Sequence, residues 1–179
     1  MGAFHRTCRV AAPCLAATHL LANFWAPALV ALALLNTGGV YGTNVFFALV
    51  GRMALRRTDA ASLTQVLGHL HAVADARMPL FGVTALLSTG GLCWVAGGWA
   101  TLPGRLALLA LAGLLTQLAA YVLVAQPVNK RQTAAALQRH TPPDARTLQD
   151  RWDSIIGMRA GALTVAVAAL VGAALHLPR

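Results

Sequence analysis

Four long segments of the chain contain no lysine, arginine, aspartate or glutamate: residues 10–51, 78–104, 106–129 and 160–178. The hydrocarbon core of a bilayer is about 30 Å thick, so a helix of roughly 20 apolar residues crosses it. Because 58% of the residues are hydrophobic and only 11% are charged, these segments predict a membrane protein. We therefore expect an all-α fold, an integral membrane four-helix bundle with the lipid bilayer as its surroundings.

The first uncharged segment is too long for one straight span, because as a helix it would extend roughly 60 Å. Pro27 and the pair Gly38-Gly39 are the expected breaks. Gly38 and Gly42 also form a Gly-x-x-x-Gly face, which is typical of close helix packing in membranes. We predict an interfacial or partly inserted segment at residues 1–26, followed by a membrane domain at 27–179. Its spans are expected at about 27–50, 78–100, 106–126 and 155–177.

Two longer polar segments, residues 52–77 and 127–154, connect the first span to the second and the third to the fourth. Both are predicted to form amphipathic loop helices. They hold nine of the 14 lysines and arginines, so the positive-inside rule places them in the cytoplasm and both termini outside the cell membrane. The same distribution accounts for the net charge of +9, and no nucleic-acid partner is expected. The sequence does not indicate an oligomeric state.

Polar side chains recur on single faces of the predicted spans. Thr37, Tyr41 and Asn44 are spaced at i, i+4 and i+7, and Gln117 and Tyr121 are four residues apart. Because a polar group facing lipid is costly, we expect both faces to point into the bundle. They fit either a set of interhelical hydrogen bonds or the wall of a pocket for an apolar ring compound with hydroxyl or carbonyl groups.

Three ionisable residues are candidates for chemistry. His71 and Asp75 are four residues apart on one helix face, so Asp75 could orient the imidazole as a base, or the two could form an ordinary surface ion pair. Arg159 lies about one turn into the fourth span. It either extends to the interface or faces the bundle and binds an anion or a carbonyl group. His69 lies on another face, and the histidine spacing does not favour a metal site.

Missing residue types exclude several four-helix membrane functions. There is no glutamate and all five aspartates lie in predicted loops, whereas proton-coupled drug exporters use a buried acid. The cysteines form no Cys-x-x-Cys pair for thiol oxidation. No histidine lies in the middle of a span, where a haem ligand would be needed.

Three short motifs point to a family. The first span contains "TGGVYGTNVFF", the third is followed by Pro127-Val128-Asn129, and Trp152 precedes Arg159 by seven residues. Over about residues 27–177 the chain thereby resembles the DUF1772 membrane proteins, which include fungal and bacterial anthrone oxygenases. It departs from them at Ile156, where the family often has His or Asn.

The resemblance implies oxidation of a polycyclic aromatic substrate of the anthrone type to a quinone with O2, as in polyketide biosynthesis. O2 is then the co-substrate, no organic cofactor motif is visible, and a metal ion is neither indicated nor ruled out. Asn129 and Arg159 are expected to meet at the cytoplasmic end of the bundle. The alternative is a non-catalytic membrane protein that binds, passes or scaffolds an apolar aromatic metabolite. The candidate catalytic residues are His71, Asp75 and Arg159, and the candidate substrate-binding residues are Tyr41, Asn44, Gln117, Tyr121, Asn129 and Trp152.

Overall fold

The computed structural model describes residues 8–177, with side chains described from Phe24 onward. This part of the chain forms four long helices and contains no strand. We number them as follows. Helix α1 comprises Cys8–Phe46, a π-helical turn at Phe47–Gly51 and a last turn at Arg52–Leu55; α2 is Ala60–Val95; α3 is Leu102–Leu137, with a π-helical turn at Tyr121–Ala125; α4 is Ala145–Leu175.

All four helices are long and apolar enough to cross a membrane, and the predicted all-α, four-helix membrane bundle is confirmed. Each helix packs against its neighbour in the chain, and α4 also packs against α1. Alanines such as Ala33, Ala85, Ala107 and Ala166 are completely buried in the core. Such small side chains let membrane helices approach closely where lipid offers no hydrophobic driving force.

The chain does not break at Pro27 or at Gly38-Gly39, because Cys8–Phe46 is one continuous helix. A proline removes one backbone hydrogen bond and strains the turn before it. Here Ala26 and Val30 are both buried beside it, so packing holds the helix together across the defect. Residues 1–7 of the predicted interfacial segment lie outside the described residues.

The two polar segments are helical, but they continue the spanning helices instead of forming separate ones. Helix α2 runs without interruption from Ala60 to Val95, through Pro79, and α3 continues past Pro127 to Leu137. The π-helical turn just before Pro127 changes the backbone hydrogen-bonding pattern where the proline lacks an amide donor. Helices α2, α3 and α4, with 31 to 36 residues each, are roughly 50 Å long, so their polar ends extend beyond a bilayer about 30 Å thick.

Exposed aromatic residues mark one membrane interface. Phe24, Trp25, Trp94 and Trp99 are all exposed, at the end of the bundle where Leu29 of α1 packs beside Gly91 of α2. Tryptophans are enriched at such interfaces. A helix needs about 20 residues to cross the bilayer. About 20 residues along each helix from this aromatic belt lie Asn44, Asp75, Tyr121 and Arg159. These polar residues therefore lie at the level of the opposite interface.

Polar contacts connect the helices beyond that interface. Arg146 of α4 donates hydrogen bonds to the carbonyl oxygens of Leu55, at 3.0 Å, and Thr58. Asp59 caps α2 by accepting hydrogen bonds from the backbone N–H groups of Ala61 and Ser62, at 2.9 Å each. The hydrogen bond from the Ser62 hydroxyl is the main cause that holds the pKa of the Asp59 carboxyl below its usual value. These contacts stabilise the turn between α1 and α2.

The closest helix contacts are not at the predicted glycine motif. A Cβ atom added to Gly38 or Gly42 would meet no atom within 4 Å, so this Gly-x-x-x-Gly face packs against no described helix. The close approaches are at Gly68 and Gly113. A Cβ at Gly68 would lie 2.3 Å from the Ala136 Cβ, and one at Gly113 would lie 2.6 Å from the Ala162 carbonyl oxygen. Small residues therefore set the α2–α3 and α3–α4 contacts.

Candidate functional site

A cavity of about 220 Å³ lies inside the bundle, and all four helices contribute to its walls. Its lining includes residues of two apolar cores, one that contains Leu92 and Leu163 and another that contains Leu67 and Val128. Both π-helical turns border it, through Phe47 and Tyr121. Such turns are frequent at functional sites, because they locally change the direction of side chains. The polar lining residues are Thr43, Asn44, His71, Asp75, Gln117, Tyr121, Asn129, Trp152 and Arg159.

Asp75 is the centre of a hydrogen-bonded group between α2 and α3. Its Oδ1 accepts a hydrogen bond from the Tyr121 hydroxyl at 2.9 Å and another from the Asn129 amide at 2.9 Å. The same amide lies 3.3 Å from Oδ2. No hydrogen bond joins Asp75 to His71 in the described structure, so the predicted pairing of the carboxylate with the imidazole is not formed. The neighbouring helix supplies the partners of Asp75, which spacing within α2 could not indicate.

Arg159 faces the cavity, so of the two orientations expected for its side chain the structure shows the one that points into the bundle. The residue is only 8% exposed, and its Nε donates a hydrogen bond to Gln117 Oε1 at 3.1 Å. Its guanidinium carbon lies 5.5 Å from the centre of the Tyr121 ring, a cation–π distance. A guanidinium has about five N–H donors, and within residues 24–177 only the Nε group has a hydrogen-bond acceptor. The terminal nitrogens are therefore available to a ligand.

His71 is buried beside aromatic rings. Its ring centre lies 5.9 Å from that of Trp152, which in turn makes an edge-to-face contact with Phe47 at 5.3 Å. Its Nε2 is fully buried and has no hydrogen-bond partner among the described residues. A neutral imidazole without a competing partner can accept a proton from a bound ligand. The Trp152 indole N–H also has no partner among these residues.

Of the polar residues predicted to share one face of the first span, Asn44 lines the cavity and Tyr41 does not. Asn44 donates from its amide nitrogen to the Val40 carbonyl at 2.8 Å, and its Oδ1 has no described partner. The Tyr41 hydroxyl accepts a hydrogen bond from Thr164 of α4 at 3.4 Å. The rotation of α1 separates the two residues, although both lie on the polar face that the sequence predicted.

The predicted meeting of Asn129 and Arg159 takes a different form. Both line the same cavity, but Asn129 binds Asp75 of α2, whereas Arg159 binds Gln117 of α3. Each polar group is thus held by a third residue, and no hydrogen bond joins the two. The two side chains therefore lie at one cavity, as expected, but without a direct contact.

Sequence reasoning missed a buried polar chain beyond the cavity. Gln132 Nε2 donates to Gln149 Oε1 at 3.2 Å, and Gln149 Nε2 donates to Asp153 Oδ1 at 2.8 Å. These residues lie in the segment 127–154, for which the sequence predicts only an amphipathic loop helix. The i, i+4 spacing of Gln149 and Asp153 was the available signal. The apolar walls, which include Phe47, Met78 and Leu114, carried no signal distinct from ordinary core residues.

Within residues 24–177 no three His, Cys, Asp or Glu residues lie close enough together to hold a metal ion. In comparisons with known proteins, no family, no curated protein and no solved structure matches this chain. The resemblance to DUF1772 proteins thus stays a prediction.

Proposed function

We propose that the protein is a membrane enzyme that oxidises an aromatic ketone of the anthrone type to a quinone with O2. The observation that supports this most is the position of Arg159. Its buried positive charge, with unpaired N–H donors, lies at an otherwise largely apolar cavity. Leaving such a charge without acceptors is costly, and a ligand oxygen bound there would remove the cost.

The proposed chemistry uses two groups of the cavity. An anthrone carries a ketone and, opposite it in the central ring, a CH2 group. His71 accepts one proton from this carbon, which leaves an enolate with much of its negative charge on the oxygen. Arg159 binds that oxygen and lowers the energy of the anion. The Tyr121 ring and Gln117 keep the guanidinium in position through the contacts described above.

The oxidation balances with O2 alone. The deprotonated carbon forms a bond to O2, and the resulting peroxide takes back a proton, which His71 supplies. The second C–H bond and the O–O bond then break, so that one oxygen atom becomes the new ketone and the other leaves as water. Both hydrogens of the CH2 group end in that water molecule. The substrate supplies all four electrons that O2 accepts.

The role of His71 as the base is tested by measuring the rate of anthrone oxidation. We expect His71→Gln to slow oxidation of anthrone by about 10²- to 10⁴-fold, the usual contribution of a general base, while binding changes little. Oxygen uptake would be measured with the purified protein in detergent, and mass spectrometry after reaction with ¹⁸O2 should find one labelled oxygen in the quinone.

The matched control is His69→Gln, because His69 lies two residues away on the exposed side of α2. It should oxidise anthrone at the wild-type rate. Wild-type uptake equal to the buffer blank would reject the enzyme function. An unchanged rate in His71→Gln would reject only the assignment of the base.

Ile156 favours a second candidate, a binding protein without catalysis. It is 1% exposed and lines the cavity between Trp152 and Arg159, at a position where the DUF1772 proteins often have a polar residue. If that polar group is needed for oxidation, this cavity binds or passes an apolar aromatic metabolite without changing it. The same experiment separates the two functions, because a pure binding protein would take up anthrone without consuming oxygen.

We also propose that the protein lies in the cell membrane and that the polar ends of its helices lie in the cytoplasm. The support is the concentration of lysine and arginine in residues 52–77 and 127–154. Ser62, which is exposed in the first turn of α2, provides the test. A maleimide that does not cross membranes should label Ser62→Cys only after the cells are opened. Labelling of intact cells at Ser62→Cys would reverse the orientation.

A further inference from the structure

The cavity is polar at one end and apolar at the other. Asp75 and Asn129 lie at its end near the membrane interface, as the aromatic belt shows. Leu86 lies 11 residues after Asp75 along α2, which is about 16 Å at the rise of an α-helix, in the direction of Trp94. Leu114 lines this deeper part from α3. A ligand that follows this gradient has its polar group at the interface and its apolar part toward the bilayer centre.

The cavity also reaches the outer surface of the bundle beside α2. Four lining residues are exposed, and they all lie on α1 or α2. Val83 is 54% exposed, although it lines the cavity. A Cβ added to Gly82, the residue before it, would meet no atom within 4 Å. The exposed lining residues are Thr43, Leu70, Pro79 and Val83.

The size of the cavity limits what it can enclose. A dry protein cavity of about 150 Å³ holds one benzene molecule, and this one measures about 220 Å³. It is also below the range of about 300–1,000 Å³ that is usual for drug-sized ligands. A molecule much larger than one or two rings must therefore extend through the opening beside α2. At that depth the surroundings are hydrocarbon, so the extending part must be apolar.

We propose that the substrate is a membrane-resident amphiphile. Its ring oxygen lies at Arg159, and an apolar tail leaves the cavity past Gly82 and Val83 into the bilayer. This inference rests on the proposed function in taking the Arg159 end as the place of the reacting ring. It adds the substrate class: a lipid-soluble ring ketone or phenol with a tail, which enters from the bilayer and not from water.

The test compares two probes with the same ring, anthrone and 2-octylanthrone, in lipid nanodiscs. Dissociation constants are expressed as mole fractions in the lipid, so that the greater partitioning of the tailed probe cancels. Binding is followed by quenching of Trp152 fluorescence, which Trp152→Phe assigns. We expect the wild-type protein to bind 2-octylanthrone at least tenfold more tightly than anthrone. Gly82→Leu should remove this preference.

The matched control is Gly90→Leu. Gly90 is on the same helix, a Cβ there also meets no atom within 4 Å, and it does not line the cavity. The Gly90→Leu variant should keep the preference for 2-octylanthrone over anthrone within twofold of the wild type. If Gly82→Leu does not fold, Val83→Phe repeats the test without adding a tryptophan. Its control is then Leu87→Phe, at a residue that is 71% exposed and outside the cavity.

Two results would overturn the proposal. Equal affinity of the wild type for the two probes would show that the tail has no path of its own. An equal loss of both probes in Gly82→Leu would show that Gly82 borders the ring and not the tail. The same measurements distinguish this proposal from the proposed oxidation. If the protein binds 2-octylanthrone more tightly than anthrone but takes up no oxygen, only the enzyme function is rejected. If it oxidises anthrone but binds both probes equally, only the amphiphilic substrate is rejected.

Discussion

Arg159→Met is expected to weaken binding of anthrone by about 100-fold, because about 2–5 kcal/mol is usual when one partner of a buried charged hydrogen bond is removed. Turnover should fall by a similar or larger factor, about 10²- to 10³-fold, as is usual for the loss of one donor to a developing oxyanion. The fold should not suffer equally. Replacing a whole buried ion pair with apolar groups of similar size is often neutral or stabilising, and the one hydrogen-bond partner that Arg159 has among the described residues, Gln117, is uncharged.

The double variant Arg159→Met/Gln117→Leu removes both partners and is expected to be at least as stable as the wild type, by thermal unfolding in detergent. Arg159→Lys keeps the charge but not the planar fork of donors, so its affinity should be intermediate. Arg151→Met, at an exposed residue of the same helix, should change neither quantity. A double variant that unfolds more easily while anthrone binding persists would make Arg159 a structural clamp.

Gly68→Ala is expected to produce the largest loss of stability. Its Cβ would lie 2.3 Å from the Ala136 Cβ and 2.4 Å from the Gln132 carbonyl oxygen. Backbone atoms of α3 cannot move aside as a flexible side chain can, so the two helices must separate. Overpacking of this kind costs about 1–3 kcal/mol and occasionally more. The hydrogen bond from Thr133 Oγ1 to the Gly68 carbonyl, 3.1 Å long, should also weaken.

The control for Gly68 is Gly157→Ala. Gly157 is also inside a helix, but a Cβ there meets no atom within 4 Å, so the change should stabilise the protein by about 0.5–1 kcal/mol. Both variants would be compared by thermal unfolding monitored by circular dichroism. Equal stability of the two alanine variants would contradict the close α2–α3 contact. Because His71 lies one turn from Gly68, oxygen uptake should fall together with stability in Gly68→Ala alone.

Much of the candidate site could be found from the sequence, because a polar residue in an apolar segment must turn away from lipid. Asn44, Gln117 and Arg159 stand out for this reason, and all three line the cavity. Tyr41 has the same signal and lies elsewhere. The signal indicates only that a side chain faces protein, and a contact with one neighbouring helix satisfies that condition as well as a cavity does.

The helix ends were harder to predict than the helices. The sequence predicts a break at Pro27 and the end of the third span at residue 126, directly before Pro127, because a proline removes a backbone donor. In the structure, buried neighbours hold the helix at Pro27, and a π-helical turn precedes Pro127. The cost of a proline is local, but the packing that offsets it comes from other helices. The same applies to Gly38 and Gly42, whose spacing indicates a contact only where another helix is present.

The sequence by itself determined the surroundings of this protein and the number of its long helices. Exclusion of charge from hydrocarbon acts on each segment separately, so it can be read along one chain. Only the tertiary structure decided which polar groups meet. Asp75 binds Tyr121 and Asn129 instead of His71, and Arg159 keeps donors for a ligand. These pairs depend on the rotation and register of each helix against its neighbours, which packing of the whole bundle sets and no single segment encodes.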